Sequence, residues 1–280
     1  MGQVKRKDFT AAEIAEAVHG VAPLTAAAHK LSLLGRGTVS AQLLRYWYKR
    51  LKDVYKSAGN ERVLFISDIH APYHHPNTLQ FLQGLKDKYK PTRVISVGDE
   101  VDKHGLSYHE SNPDLKSAGD ELLAAKEFIA ELYKMFPEMD ILESNHGSLH
   151  LRKAMTAGLP RAYLKSYNEV LGVGPGWKWH PELILELPNG QQCYVCHGKL
   201  ADAAKLSQNM GMNVVQGHYH SEFSIKFWSN PNNLFFGMAV GCLIDDTSLA
   251  MAYNKLTPKR PIIGTGLIID SKPVLEYMPL

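Results

Sequence analysis

Residues 63–70 read VLFISDIH, and residues 92–102 read TRVISVGDEVD. Each contains a short, mainly apolar run closed by polar groups, the pattern of a strand buried on both faces. Behind each run lie a loop and a stretch of helical periodicity, residues 76–89 in the first case and 118–135 in the second. MDILES (139–144) repeats the run a third time. Strand, loop and helix in repetition predict an α/β domain with parallel strands. After about Trp179 the segments LILEL, QCYVCHG, NVVQGHYH, EFSIKFW, NLFFGMAVG, PIIGTGLIID and PVLEYM read as strands with few helices between them, and this half is expected to form a second sheet. Residues 172–178 read as a loop.

The residues able to do chemistry stand at the carboxyl ends of these runs. VLFIS ends in Asp68-Ile69-His70, and RVISV in Gly98-Asp99-Glu100-Val101-Asp102. ILES ends in Asn145-His146-Gly147, CYVC in His197-Gly198, and NVVQG in His218-Tyr219-His220. Carboxyl ends of parallel strands form the functional edge of such sheets, so five of them presenting Asp, Asn or His imply one multi-ligand pocket. In an extended backbone, residues i and i+2 point the same way. Asp68 and His70, and likewise His218 and His220, are therefore each expected to chelate a common site. Mixed carboxylate and imidazole donors suit borderline first-row metals better than calcium, and no cysteine in the set argues against structural zinc.

In order, DxH, GDxxD, NH, H and GHxH resemble the calcineurin-like metallophosphoesterases, over about residues 61–270. The resemblance implies a two-sheet αββα sandwich holding two divalent metal ions, with manganese the first expectation and iron, nickel or zinc also accommodated. It implies that Asp68, His70 and His220 bind one metal, that Asp99 bridges both, and that Asn145, His197 and His218 bind the other. His146 would be the general acid or a phosphate contact, held by Asp102. Gly241-Cys242-Leu243 stands where relatives often have Gly-Ser-Leu. Two departures occur: Ser144-Asn145-His146-Gly147 replaces the usual Gly-Asn-His-Asp/Glu, and Lys103 replaces the arginine of GDxxDRG, giving a point charge instead of a bidentate fork. Lys103, His104, Lys199 and Tyr219 are candidate substrate contacts, and His74, His75 and His109 lie on the same loops.

The first 58 residues read differently. Thr10-Ala11-Ala12-Glu13 is a capping box, a second helix is expected after Pro23, and Gly35-Arg36-Gly37 breaks it before a longer helix from Thr38 to about Leu51. This resembles a helix-turn-helix, which implies a small all-α DNA-binding domain over 1–58 preceding a catalytic domain over 60–280. Arg36, Thr38, Ser40, Gln42 and Arg45 would then face DNA. Charge agrees: residues 1–60 carry ten Lys/Arg against four Asp/Glu, a net of +6, which leaves −3 for the rest of a chain of net +3. Such asymmetry suits a polyanion-binding module attached to a domain of other purpose.

The bulk composition, 45% hydrophobic and 21% charged over 280 residues, is that of a globular protein. No apolar run of about 18 residues predicts a membrane span, and the start lacks a secretory h-region. Three cysteines argue against a disulfide framework; Cys193 and Cys196 read as buried strand thiols, and a cytoplasmic setting is expected. His19, His29, His150 and His180 read as structural or solvated, and Trp47, Trp177 and Trp179 as packing residues. The expected function is a DNA-directed phosphodiesterase, a nuclease. A phosphomonoesterase acting on nucleotides or phosphoproteins is the alternative that GDxxDKHG favours, and a DNA-binding regulator with a vestigial metal core is the third reading. Helix-turn-helix modules often act as dimers, which leaves a homo-oligomer open.

Overall fold

The computed structural model describes residues 28, 29, 32, 33, 38–40, 61–108, 114–248 and 259–279. The chain divides into two compact units, Met1–Gly59 and Asn60–Leu280. In the first, Ala28, His29 and Ser32 are helical, and the Val39 amide donates to Ser32 Oγ at 2.9 Å. Thr38 and Ser40 are exposed. The expected helices as wholes, and Arg36, Gln42, Arg45 and Trp47, lie outside the described residues, as does His109 of the second unit.

The second unit begins with β1 (Arg62–Ile66), α1 (Thr78–Tyr89), β2 (Arg93–Ser96), α2 (Ala118–Met135) and β3 (Met139–Leu142). It continues through α3 (Leu149–Thr156), α4 (Tyr167–Leu171), β4 (Trp177–His180), β5 (Leu183–Glu186), β6 (Gln192–Cys196) and α5 (Ala203–Met210). It ends with β7 (Asn213–Gln216), β8 (Phe223–Ser229), β9 (Leu234–Val240), β10 (Gly264–Ile269) and β11 (Lys272–Tyr277). One sheet has the order β11-β10-β1-β2-β3-β4, with β1 to β4 parallel. The other has the order β5-β6-β7-β9-β8.

Alternation along the strands builds the layers. Val63 and Phe65 of β1 face inward with Ile95, Leu142, Val195, Val215 and Met238, the core between the two sheets. Leu64 and Ile66 face the opposite side, against Leu82 and Leu85 of α1 and Ala125, Phe128, Ile129 and Leu132 of α2. Leu206 of α5 covers the outer face of the second sheet over Tyr194, Cys196 and Val214. The result is the α/β two-sheet sandwich, helix, sheet, sheet, helix, that the resemblance implies. Helix α2 starts where Ser117 Oγ accepts the Asp120 amide at 3.2 Å, an N-cap. Cys193, Cys196 and Cys242 are free and buried.

Two expectations are corrected. The last two strands do not join the second sheet. Strand β10 pairs antiparallel with β1, and β11 with β10. The reason is backbone hydrogen bonding: Val63 to Ile66 are fully buried, so the edge of β1 away from β2 needs a partner that water cannot be. Gly266 lets the sheets approach there, since a Cβ would stand 2.5 Å from Val240 Cγ1. The segment 172–178 is not wholly loop, because Trp177 opens β4, buries its ring, and donates Nε1–H to Phe136 O at 2.8 Å. Trp179 packs partly buried against the same core. Among the described residues, no helix is long and apolar enough to cross a membrane.

Candidate metal centre

The loops leaving the strands are zippered together before any side chain is considered. Asp68 N donates to Gly98 O at 3.0 Å, His70 N to Asp99 O at 2.9 Å and Ala71 N to Glu100 O at 3.1 Å. Leu243 N donates to Asp68 O at 3.0 Å, and Gly217 N to His197 O at 2.8 Å. Within this frame Asp68, His70, Asp99, Lys103 and His218 all have φ between 50 and 68°. Left-handed backbone costs a non-glycine residue roughly 1–2 kcal/mol, and it persists where the surroundings over-determine it. Asp68 and His70 are therefore not alternate positions of one extended strand, because β1 ends at Ile66 and both have left-handed backbone.

The side chains nevertheless converge. Ligand atoms of Asp68, His70 and His220 lie within 4.8 Å of one another, as do those of Asp99, His197 and His218. A third such set, His70, Asp99 and His146, links them. His218 and His220 thus part company, one to each set, against the expectation of common chelation. Asn145 Oδ1 lies 2.7 Å from His197 Nε2. Asp99 Oδ2 stands 3.1 Å from His197 Nε2 and 3.6 Å from His70 Nε2.

The donor chemistry fits a divalent cation. His70 Nδ1 is 2.6 Å from Asp102 Oδ1, so the neutral ring keeps its proton there and its lone pair on Nε2. That Nε2 is buried, has no hydrogen-bond partner, and is 3.8 Å from Asp68 Oδ1. His197 Nδ1 is 2.9 Å from Val97 O and must donate. A neutral His197 therefore aims a lone pair at the Asp99 carboxylate and the Asn145 carbonyl, three acceptors with no proton among them. A cation is what such a set accommodates.

Electrostatics without metal say the same. Burial works against charge on Asp99, yet His197 and then His70 hold its carboxyl well below the usual range. Burial likewise opposes charge on Asp68, and His220 and His70 hold it low. Burial disfavours the charged forms of His70 and His197, but Asp102 and Asp68 raise the first, and Asp99 raises the second to about 9. Histidine pKa values raised above the ordinary ~6.5 stabilise the fold fully below that pH, and the contribution is lost as pH rises through the folded value. The metal-free protein is therefore expected to melt at falling temperature from about pH 6.5 to 9. Apparent divalent-ion affinity should rise over the same window, because the ligands must shed protons to bind. Calorimetry in chelator and with manganese checks both; a flat profile in chelator would show that these rings do not charge.

Asp102 divides its duties in a way sequence spacing does not reveal. Its carboxylate serves His70 at 2.6 Å and is 3.5 Å from His146 Nδ1. Its backbone carbonyl takes His146 Nδ1 instead. His146 N donates to Asp99 Oδ1 at 3.0 Å, and burial together with His70 lowers its pKa. Asp102→Asn is expected to keep the fold and weaken divalent-ion affinity about 10–100-fold, measured by chelator competition.

Lys103 is not free to act as a substrate contact. Its ammonium is buried and donates to His146 O at 3.1 Å and Gly147 O at 2.6 Å, over the Tyr167 ring. Burial lowers its pKa to about 8. His104 is held by Glu121, which accepts its backbone amide at 2.8 Å, and its Nε2 is buried. Lys199 pairs with Glu182 at 3.2 Å. Tyr219 stands edge-on to His218, ring centroids 4.9 Å apart. His74 packs on Phe128 at 3.8 Å, and burial lowers its pKa to about 4. His150 stacks on Tyr167, and His180 pairs with Asp140 at 2.8 Å.

Three contributors escape sequence reasoning. Ser67 Oγ donates to Asp68 Oδ2, which also accepts His218 N at 2.8 Å. Ser144, legible in the sequence only as a departure, accepts the amides of Asp99 at 2.9 Å and Gly147 at 3.0 Å. Gly217 lets the loops come this close: a Cβ there would meet Ser67 Oγ at 1.9 Å. The glycine preceding His218, like the one preceding Asp99, is the signal in the sequence for such close approach.

No family model matches the chain, and no curated protein does. Among solved structures the chain is similar to Vacuolar Protein Sorting 29 from Cryptosporidium parvum, at 14% identity and TM-score 0.37 over 79% of this chain and 97% of that one. It is similar to Yfce, a phosphoesterase from E. coli, at 12% identity and TM-score 0.38 over 74% and 87%. It is also similar to the nuclease MPE of Pseudomonas putida, at 13% identity and TM-score 0.28 over 77% and 87%.

Proposed function

We propose that the chain is a calcineurin-like phosphoesterase that uses two divalent cations, manganese foremost, to hydrolyse phosphodiester bonds of DNA. The observation that carries this is Asp99, which groups with His197 and His218 on one side and with His70 and His146 on the other, and so links the two histidine clusters. Asp68, His70 and His220 would hold one cation, Asn145, His197 and His218 the other, and Asp99 both. When bound, such a pair would supply positive charge to a phosphoryl group and lower the pKa of a water towards neutral. The chain's own residues do the rest. Asp102 fixes the ring of His70 through its carboxylate and that of His146 through its carbonyl. Ser144 and Asp99 hold the backbone that presents His146. With Nδ1 so occupied, His146 Nε2 is the nitrogen left to contact phosphate or carry a proton to the leaving oxygen.

DNA as the substrate rests on the basic first 60 residues and their likeness to a helix-turn-helix. The phosphomonoesterase reading draws on GDxxDKHG, whose Lys103 donates inward to the His146 and Gly147 carbonyls. The vestigial-core reading would not explain a complete, converging donor set. The buried free thiols accord with a reducing cytoplasm. The test is turnover by the manganese-loaded full chain of plasmid, single-stranded oligonucleotide, p-nitrophenyl phosphate and its bis ester. Cleavage of DNA and the bis ester is expected. Monoester turnover with intact DNA would overturn the nuclease reading, and failure to take up any divalent ion would overturn the phosphoesterase itself.

A further inference from the structure

Behind His146 the chain runs into a segment of unusual charge. Residues 144–168 carry Arg152, Lys153, Arg161 and Lys165 and no Asp or Glu, whereas the rest of 61–280 carries seventeen Lys/Arg against twenty-four Asp/Glu. Arg152, Arg161 and Lys165 are exposed. The segment is tied directly to the ligand loop, since Arg152 Nη2 donates to Asn145 O at 2.7 Å. Two like charges then converge on one ring: Lys153 Nζ lies 3.9 Å and Arg152 Cζ 5.8 Å from the centroid of Tyr108. Like charges gathered beside a metal-ligand loop repel one another unless an anion lies between them. Further along, Tyr163 is 80% exposed between Arg161 and Lys165. A large exposed aromatic among cations is the arrangement that stacks bases while phosphates follow the charges.

We infer that α3 and the turn after it, from Arg152 to Lys165, form a track for a single polynucleotide strand leading to the metal centre. This rests on the phosphodiesterase reading above and extends it from the chemistry to the surface that feeds it. Phosphates lie along Arg152, Lys153, Arg161 and Lys165, and an unpaired base stacks on Tyr163.

The test uses the full chain, so that residues 1–60 contribute equally to every variant. Binding of a labelled single-stranded oligonucleotide is read by fluorescence anisotropy in chelator, across a salt series. The double variant Arg161→Glu/Lys165→Glu should bind at least about tenfold more weakly. Its slope of log affinity against log salt should flatten by about 1.4, roughly 0.7 for each phosphate no longer neutralised. Tyr163→Ala reverses no charge, and should weaken the single strand about tenfold while leaving duplex binding unchanged. Manganese-dependent turnover of bis(p-nitrophenyl) phosphate should stay at the wild-type rate in both. Unchanged affinity and slope in both variants would overturn the track, even with DNA cleavage intact. Wild-type protein that binds the strand through these residues yet never cuts it would support the track and overturn the nuclease reading. Heparin or phosphatidylserine vesicles bound as tightly as the strand, with Tyr163→Ala indifferent, would overturn the assignment to nucleic acid.

Discussion

Asp99→Asn is expected to lower kcat/KM on any phosphoester by at least about 10³-fold, roughly 4 kcal/mol of transition-state stabilisation. The side chain is 1% exposed and belongs to two ligand sets. Its Oδ2 faces His197 and His70, and its Oδ1 holds the His146 amide. Asparagine has nearly the same shape and tolerates left-handed backbone, so φ of 53° at this position is kept. What is lost is the negative charge of a buried candidate ligand, and an amide NH2 would point a donor where a ligand belongs. Metal content should fall together with activity, while circular dichroism stays unchanged. Wild-type turnover with full metal content would remove Asp99 as the shared ligand and with it the two-cation arrangement.

The parts of this molecule legible in its sequence are those in which local pattern and final environment coincide. RVLFI and RVIS are buried on both faces, so a run of apolar residues suffices to mark them as strands. Helices α1 and α2 repeat their buried positions at helical spacing over 12 and 18 residues. Helices α3, α4 and α5 have eight residues or fewer, too few turns for periodicity to stand out. No local feature of GTGLII says which sheet it will join; β1's need for a backbone partner decides that from a distance. The seven candidate ligands are visible because each follows a strand, but their backbone is not. Asp68, His70, Asp99 and His218 adopt left-handed geometry without being glycine, and composition gives no sign of it. Nor does spacing reveal that the carboxylate of Asp102 reaches His70, 32 residues away, in preference to His146. The bridge between Ala71 and Val101 brings those loops side by side.

If DNA is the substrate, as proposed, His146→Ala is expected to lower kcat on it by about 10²–10⁴-fold while leaving divalent-ion uptake unchanged, which separates it from every ligand substitution. The ring lies 4.6 Å from that of His70 and is anchored through Nδ1 to a backbone carbonyl, so its removal leaves Asp102 still paired with His70. Comparing substrates tells what the ring does. A proton donor matters most when the leaving oxygen is a poor anion, as the sugar oxygen of DNA is, and little when it departs as a stabilised phenolate. If His146 is the acid, the variant should retain most of its rate on bis(p-nitrophenyl) phosphate and lose it on DNA. If it instead steadies a phosphoryl oxygen, both substrates share that group and both rates should fall together. Burial and the neighbouring His70 keep the ring's pKa low without metal, which favours contact over proton donation unless the substrate's own negative charge raises it. An equal loss on both esters would therefore assign His146 to phosphate binding, and an unchanged rate on both would exclude it from the reaction.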